Sequence, residues 1–295
     1  MIWKPPKALG LSVAFLTLAA LLASAFLLAR SLGGQQIGLG SFLRILGLIG
    51  DAALLAMGMR WALDLASLRY RLDRDALTIH CGTYERIVPM GDIERVVPAS
   101  IFQGLGGFFG IRWPGYWRGH ILIEGVGTVH VYATKPLRHQ LIAVTGGGGY
   151  AISPHNAQEF LRDYAVRRGL GPLHPVTEHV EYGPIAQWPV WRDTFFWITC
   201  AAALLICVAI SGILMGRYQE LPQRLAFHLP YQGGVGRVAS KRRLLAMPGL
   251  GAIMWAANTS LGILLHRRER VGAYLLILVA LGLQVLFALA LVSTL

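Results

Sequence analysis

The chain has 295 residues, of which 55% are hydrophobic and 14% charged, with a mean hydropathy of +0.52 and a formal net charge of +12. Soluble domains carry about 25% charged residues, so the composition excludes an ordinary soluble protein and predicts an integral membrane protein with one soluble insert. The basic excess favours membrane orientation and contact with anionic lipid, and nucleic acid is not an expected partner.

The N-terminal region, residues 1–68, is predicted to be a transmembrane hairpin. A short basic start, MIWKPPK, precedes an apolar run at about 8–32. This run exceeds the roughly 20 residues that a bilayer requires, whereas the apolar core of a signal peptide has about 7–15. A second span is predicted at about 42–63, after a glycine-rich turn.

Charged residues lie in and near the second predicted span. Arg44 and Asp51 are two helical turns apart and therefore share a helix face. A charge at the depth of Asp51 costs at least about 2.5 kcal/mol. The carboxyl can serve a proton or ion relay, or it can be protonated or paired with Arg44 and hold helices together. Arg60 and Asp64 are expected to pair at the membrane interface beside Trp61.

The insert, residues 69–168, has the sequence pattern of several strands closed by one helix. Short segments alternate apolar and polar residues and are interrupted by Gly, Asp and Pro, which is typical of half-buried strands. Near the end, Ser153 and Pro154 are predicted to be the N-cap and the first residue of a helix. The expected fold is a small β-barrel or sandwich closed by this C-terminal helix.

The aromatic segment, residues 101–119, is the candidate contact surface of the insert. Its sequence is IFQGLGGFFGIRWPGYWRG. An exposed segment of this kind marks a contact with lipid headgroups, the chain's own helices or another membrane protein, and Arg beside Trp and Tyr suits all three. The alternative is that part of the segment folds over the barrel's open end as core. The candidate residues are Phe102, Phe108, Phe109, Arg112, Trp113, Tyr116, Trp117 and Arg118.

A linker rich in proline and glycine, residues 169–192, is predicted to be an extended tether to the C-terminal membrane region, residues 193–295. The sequence RRER is so short that the two spans it joins must form an antiparallel hairpin. Asn258 and Gln284 lie inside these two spans and are predicted to hold helices together. The predicted spans of this region are about 194–215, 244–266 and 271–294.

The insert resembles the bacterial pleckstrin-homology-like (PH-like) domains found in membrane proteins. The blocks that carry the resemblance are Tyr70 to Leu72, Asp75 to Ile79, Ile87 to Pro89 with Ile93, Gly110 to Tyr116, Val131 to Thr134, and Ile152 to Pro154 leading to Phe160. The resemblance implies a seven-stranded, strongly bent sheet capped by one helix, and it implies no enzyme activity.

The 217–243 loop resembles the LP…HF…G…K pattern of a membrane domain of unknown function. That domain also occurs in immunity proteins against toxic peptides and in related transporter-like families. In this chain Leu229 stands where the pattern has Phe, and the acidic residue after the Gly is absent. The resemblance implies an alternative function, a transporter-like or peptide-toxin immunity-type protein that uses Asp51 and this loop. The matching residues are Leu221, Pro222, His228, Gly233 and Lys241.

Neither catalytic motifs nor a histidine and cysteine spacing suited to a metal is found in the sequence, and the glycine run at 104–110 misses the dinucleotide spacing by one residue. We therefore expect a non-enzymatic binding or regulatory protein without cofactor or metal. Ten basic residues against seven favour a cytoplasmic N-terminus and insert, with the 217–243 loop outside. The expected location is the bacterial plasma membrane, and the expected partners are the lipid bilayer and another membrane protein or a second copy.

Overall fold

A computed structural model describes most of the chain. The described residues are 1–33, 36–174, 176–183, 187–222, 224–227 and 237–294. They belong to two compact units. The first unit contains Met1–Ser24 and Asp51–Ala186, and the second contains Ala25–Gly50 and Gln187–Leu295.

Two sets of elements follow each other along the chain. From the N-terminus through the insert these are β1 (Ile2–Trp3), α1 (Ala8–Ser31), α2 (Leu39–Ser67), β2 (Arg69–Leu72), β3 (Ala76–Cys81), β4 (Tyr84–Pro89), β5 (Ile93–Pro98), β6 (Leu105–Trp113), β7 (Tyr116–Ile123), β8 (Gly127–Ala133), β9 (Leu141–Thr145), β10 (Gly148–Ile152) and α3 (Ala157–Leu170). After the insert come β11 (His179–Tyr182), α4 (Thr194–Arg217), β12 (Arg224–Phe227), β13 (Arg237–Ser240), α5 (Ala246–Leu265) and α6 (Arg270–Thr294).

Five helices within the described ranges, α1, α2, α4, α5 and α6, are long and apolar enough to cross a bilayer. Each overlaps a predicted span, because long uninterrupted apolar runs have few other structures available to them. The second helix is longer than the predicted span at both ends. It continues to Ser67 and therefore includes Asp64, which is buried against the insert.

The insert forms two sheets. The first has the strand order β1-β2-β3-β4-β11, and the second has the order β5-β9-β10-β8-β7-β6. Neighbouring strands are antiparallel except for β10 and β8, which run parallel. The resemblance implied seven strands, whereas nine, β2 to β10, lie within 69–168.

Two strands of the first sheet come from outside the insert. At one edge β1 pairs with β2, where Trp3 lies opposite Tyr70. At the other edge β11 pairs with β4, where His179 lies opposite Ile87. The prediction of an extended tether at 169–192 is therefore wrong for 179–182, because the open edge of β4 offers these residues backbone hydrogen bonds that a free tether lacks.

The main core lies between the two sheets, and α3 closes it with Phe160 and Tyr164. Trp3 packs edge-to-face on Phe160, with ring centroids 5.6 Å apart. The helix begins one turn from where it was predicted. Asn156, not Ser153, is the N-cap and accepts a hydrogen bond from the backbone of Glu159. The Ser153 hydroxyl oxygen instead accepts a hydrogen bond from the backbone N–H of Thr134, the residue that follows β8.

A second apolar cluster covers the opposite face of the six-stranded sheet. Side chains alternate between the two faces of a strand. In β9, Leu141 and Ala143 face the main core, whereas Ile142 and Val144 belong to this second cluster. Both faces of the sheet are therefore buried near its centre.

In the second unit, apolar and polar contacts hold the three C-terminal helices together. Phe196 and Cys200 of α4 pack with Ala273 and Ile277 of α6 in one apolar cluster. The Gln284 side chain of α6 donates to the carbonyl oxygen of Gly251 in α5, at 2.7 Å.

Candidate functional site

The aromatic segment forms most of an antiparallel hairpin between β6 and β7. Trp113 pairs with Tyr116 across the turn Pro114–Gly115, and Phe109 pairs with His120 further from the turn. Paired residues share a face and successive residues alternate, so the candidate residues of the two strands are divided between two faces. One face carries Phe109, Trp113, Tyr116 and Arg118, and the other carries Phe108, Arg112 and Trp117.

The second of these faces contributes to the core. Phe108 and Trp117 are half-buried, and their rings meet edge-to-face with centroids 5.2 Å apart. Both pack with Phe102 against the second apolar cluster. Arg112 lies exposed beside this cluster, with its guanidinium carbon 4.5 Å from the centre of the Trp117 ring. Phe102, Phe108 and Trp117 therefore follow the alternative interpretation, in which part of the segment belongs to the core.

The turn of the hairpin packs directly against the first helix. Gly115 has a φ of +80°, and a Cβ atom at this position would overlap the backbone of Gly10 in α1. A Cβ atom on Gly10 would in turn lie 2.5 Å from the carbonyl oxygen of Gly115. Trp113 rests on Trp61 of α2, with ring centroids 5.6 Å apart. The hairpin thus contacts both N-terminal helices, and two glycines make the closest approach possible.

Tyr116 and Arg118 point into the junction with α2, so they are not exposed, and the partner that the structure gives them is one of the chain's own helices, one of the three expected partners. Tyr116 is completely buried. Arg118 donates to the carboxylate of Asp64, which is 3% exposed. The expected partner of Asp64 was Arg60 at the interface, but Arg118 is its partner in the structure. The reason is that α2 continues past the predicted span and brings Asp64 over the sheet.

Neutral side chains surround this ion pair. The guanidinium carbon of Arg118 lies 4.9 Å from the centre of the Tyr84 ring, and the Cys81 sulfur lies 3.9 Å from the Tyr116 hydroxyl. Burial raises the pKa of the Cys81 thiol and of the Tyr116 hydroxyl, so both stay protonated at neutral pH. Asp64 therefore supplies the negative charge that balances Arg118.

The Phe109 surface, defined as Phe109, His120 and Leu122, is the exposed apolar part of the hairpin. Phe109 is 65% exposed and stacks on His120 with ring centroids 5.7 Å apart. Leu122 is 63% exposed and lies two residues beyond His120 on the same face. Of the eight candidate residues, Phe109 and Arg112 are the exposed ones, and the other six are buried or half-buried.

A row of rings continues from the Phe109 surface across the sheet. His120 pairs with His130 in β8, which pairs with Tyr150 in β10. The His130 and Tyr150 rings stack with centroids 5.8 Å apart, and Arg86 lies over the Tyr150 ring. Burial, followed by the charge of Arg86, lowers the pKa of His130, so this imidazole is neutral at pH 7.

The four predicted intramembrane polar residues have different surroundings. Gln284 of α6 donates to the carbonyl oxygen of Gly251 in α5. Asn258 is also buried, but its Nδ2 has no hydrogen-bond partner within the described part of the chain. Asp51 is half-buried, and its shielded Oδ2 likewise has no hydrogen-bond partner there. Arg44 lies on the same helix, two turns away.

The loop motif is only partly described. His228 and Gly233 lie outside the described residues. Lys241 donates to the carbonyl oxygen of Leu221 at 3.3 Å, and Pro222 follows Leu221 directly. Leu221 and Lys241 of the motif are thus close together, but nothing in this contact points to a transported or bound ligand.

A buried polar cluster at the ends of α4, α5 and α6 was missed by the sequence analysis. Asp193, the N-cap of α4, accepts from the backbone of Phe196 at 3.0 Å and from Tyr274 at 2.5 Å. His266 contacts the same carboxylate at 2.8 Å. Burial opposes ionisation of Asp193, but the hydrogen bonds from Tyr274, Phe196 and His266 outweigh it and lower the carboxyl pKa to about 2. The only sequence signal was an acidic residue directly before an apolar helix.

The described residues contain no group of three or more His, Cys, Asp or Glu side chains that could hold a metal ion. The Asp193 cluster joins three helix ends and has the geometry of a structural connection. The hairpin of the insert carries an exposed apolar surface at Phe109 and Leu122.

The comparisons with known proteins concern the insert. Residues 68–168, about a third of the chain, match the family model of the bacterial PH domain. This match confirms the resemblance deduced from the sequence blocks. No curated protein and no solved structure matches the chain.

Proposed function

We propose that this chain is a non-enzymatic membrane protein whose PH-like domain is a binding module for another membrane protein or for lipid, presented by the first two helices. The observation that carries the proposal is the double contact of the β6–β7 hairpin, with Gly10 of α1 and with Trp61 of α2, beside the exposed Phe109 surface.

Membrane embedding is supported by the outer surfaces of the helices. Phe15 and Leu16 of α1 are 72% and 66% exposed, and Val292 of α6 is 75% exposed. Apolar side chains repeated along helices of 20 residues or more are costly in water and favourable in lipid. We place the chain in the bacterial plasma membrane, with the N-terminus and the PH-like domain in the cytoplasm and the 217–243 loop outside. The support for this orientation is the distribution of basic residues.

The junction holds the proposed binding module in a fixed orientation relative to α1 and α2. A domain on a flexible tether samples many orientations and loses that freedom when it binds. Here the Arg118–Asp64 ion pair, the Trp113–Trp61 contact and the glycine contact all connect the insert to the helices. The Phe109 surface is therefore held in one orientation relative to α1 and α2.

The test is photocrosslinking in intact cells, with a photoreactive amino acid placed at Phe109 or at Leu122. We expect a discrete adduct with a protein or a lipid at both positions. Val166 of α3 is the matched control, because it is 64% exposed and lies on another surface of the domain. Adducts that are absent at Phe109 and Leu122, or that are the same at Val166, would reject the Phe109 surface as a contact.

The alternative is a transporter-like or immunity-type protein, and one observation favours it. The Oδ2 atom of Asp51 is shielded within an apolar helix and makes no hydrogen bond with a described residue. Such a carboxyl can bind an ion or a proton. Asp51→Asn separates the two proposals, because the substitution should abolish transport or immunity and leave crosslinking at Phe109 unchanged.

A further inference from the structure

We propose that the groove between α5 and α6 binds one anionic phospholipid, with its phosphate at Arg267 and Arg268 and an acyl chain along the leucines of the two helices. The inference rests on the membrane embedding proposed above, and it concerns a surface that the PH-like domain does not explain.

The groove has the shape and lining that such a lipid requires. It measures about 510 Å³. The lining residues are Trp188, Leu261, Leu264, Leu265, Arg267, Arg268 and Leu276. The leucines come from facing positions on α5 and α6, and Leu261 and Leu264 are 53% and 60% exposed. One end of the groove is therefore apolar and open to its surroundings.

The other end of the groove is positively charged. Arg267 and Arg268 are both exposed, and neither forms an ion pair with an acidic side chain of the described residues. They lie in the short connection where α5 ends and α6 begins. Arginine binds phosphate oxygens with its planar group of donors, and exposed guanidinium groups at a membrane surface attract anionic lipid.

The position of Trp188 supports a lipid over a soluble anion. Trp188 is half-buried, packs against the apolar cluster of α4 and α6, and borders the same groove. Indole rings are enriched at the level of lipid headgroups, where one side of the ring is apolar and the other is wet. A groove with arginines at one end, tryptophan at the border and leucines beyond matches the order of phosphate, glycerol and acyl chain in a phospholipid.

The buried Asp193 cluster keeps this groove in place. His266 lies directly before Arg267 and contacts Asp193 of α4, while Tyr274 of α6 contacts the same carboxylate. The helix ends that form the groove are therefore joined by hydrogen bonds and do not need the lipid to assemble them. A preformed site loses less freedom on binding than a site that must be ordered.

The experiment is native mass spectrometry of the full chain, purified in detergent and titrated with phosphatidylglycerol or with phosphatidylcholine of identical acyl chains. We expect phosphatidylglycerol to be retained about tenfold more tightly. The double substitution R267Q/R268Q should remove this preference, because the tenfold difference, about 1.4 kcal/mol, comes from the two guanidinium groups that face the anionic headgroup in the groove. R267K/R268K should keep most of it.

Arg270→Gln is the matched control, because Arg270, the first residue of α6, is an exposed arginine two residues from Arg268 that does not line the groove. It should change retention less than twofold. Equal losses in R270Q and R267Q/R268Q would mean a diffuse charge effect and would overturn the proposal, as would equal retention of the two lipids. Glycerol phosphate added in excess should not compete, and competition would show a soluble anion site instead.

The membrane embedding is tested in the same preparation but by another observation. A chain that is released from cell membranes without detergent would contradict the embedding before any lipid is added. A chain that requires detergent and yet shows no lipid preference would contradict the groove alone.

Discussion

Arg118, in the second strand of the aromatic hairpin, donates to the carboxylate of Asp64 near the end of α2. The two residues are 54 positions apart, and Asp64 has 4% of its side chain exposed. This ion pair joins the PH-like domain to a helix that is long and apolar enough to span a membrane. The first prediction concerns the removal of this partly buried ion pair.

Arg118→Gln should destabilise the detergent-solubilised chain by roughly 3 kcal/mol, because it leaves a buried carboxylate without its counter-charge. The measurement is the thermal unfolding midpoint. The double variant D64N/R118Q should be more stable than R118Q alone, since it removes the unpaired charge. Arg162→Gln, an exposed arginine on α3, should change stability by less than about 0.5 kcal/mol. A double variant less stable than R118Q would contradict the ion pair.

Gly115→Ala should cost more than Gly125→Ala, although the two glycines have nearly the same φ angle. Their φ angles are +80° and +78°, so alanine adds a similar strain of about 1–2 kcal/mol at either position. At Gly125 the added methyl group meets nothing within 4 Å, whereas at Gly115 it overlaps Gly10 of α1. The difference between the two unfolding midpoints therefore measures the contact between hairpin and helix. Equal costs would show that this contact does not form.

Truncation of two aromatic residues should separate core from surface. Trp113→Ala removes the contacts with Trp61 and Tyr116 and should cost about 2–3 kcal/mol, below the usual 3–5 for a fully buried aromatic because Trp113 is half-buried. Phe109→Ala should change stability by less than about 1 kcal/mol, since the ring is 65% exposed. The comparison uses the unfolding midpoints of the two variants. A large loss for Phe109→Ala would place this ring in the core.

Low pH should weaken the C-terminal helices through Asp193. Its pKa is lowered to about 2 in the folded chain, below the ordinary value of 3.8, so the unfolded chain binds this proton more tightly. The stabilisation is therefore complete above about pH 4 and is lost as the pH falls towards 2. Asp193→Asn, which can still cap α4, should be less stable at pH 7 and should lose less stability between pH 4 and pH 2. Parallel pH curves for the two proteins would contradict this role.

The elements that could be predicted from the sequence are those that local pattern determines. The apolar runs predict five spans, and ordered blocks of the insert predict a PH-like domain, which the family match confirms. The strands β1 and β11 could not be predicted, because two to four residues carry little periodicity and pair only where an edge is open. Residues 179–182 were therefore predicted to be part of an extended tether.

Polar contacts between distant residues were the hardest part of the site to predict. Asp64 had a closer candidate, Arg60, one helical turn away, and nothing local indicated Arg118. Asp193 and His266 are 73 positions apart and meet only when three helices assemble. The aromatic segment could be recognised by its composition, but Phe109 and Tyr116 lie on the same face of the hairpin. Packing of the turn end against α1 and α2 buries Tyr116 and leaves Phe109, further from the turn, exposed.

The claim on which the proposed function depends most is that the insert is fixed on α2. Spin labels at Leu63 of α2 and Val166 of α3, both at least 60% exposed, can measure this in the full chain, and all three native cysteines are buried. We predict a distance distribution for the 63–166 pair as narrow as that of a pair inside the insert, Leu122 and Val166. A broad 63–166 distribution beside a narrow 122–166 distribution would mean that the domain moves freely on its helices, which would contradict the fixed presentation of the Phe109 surface.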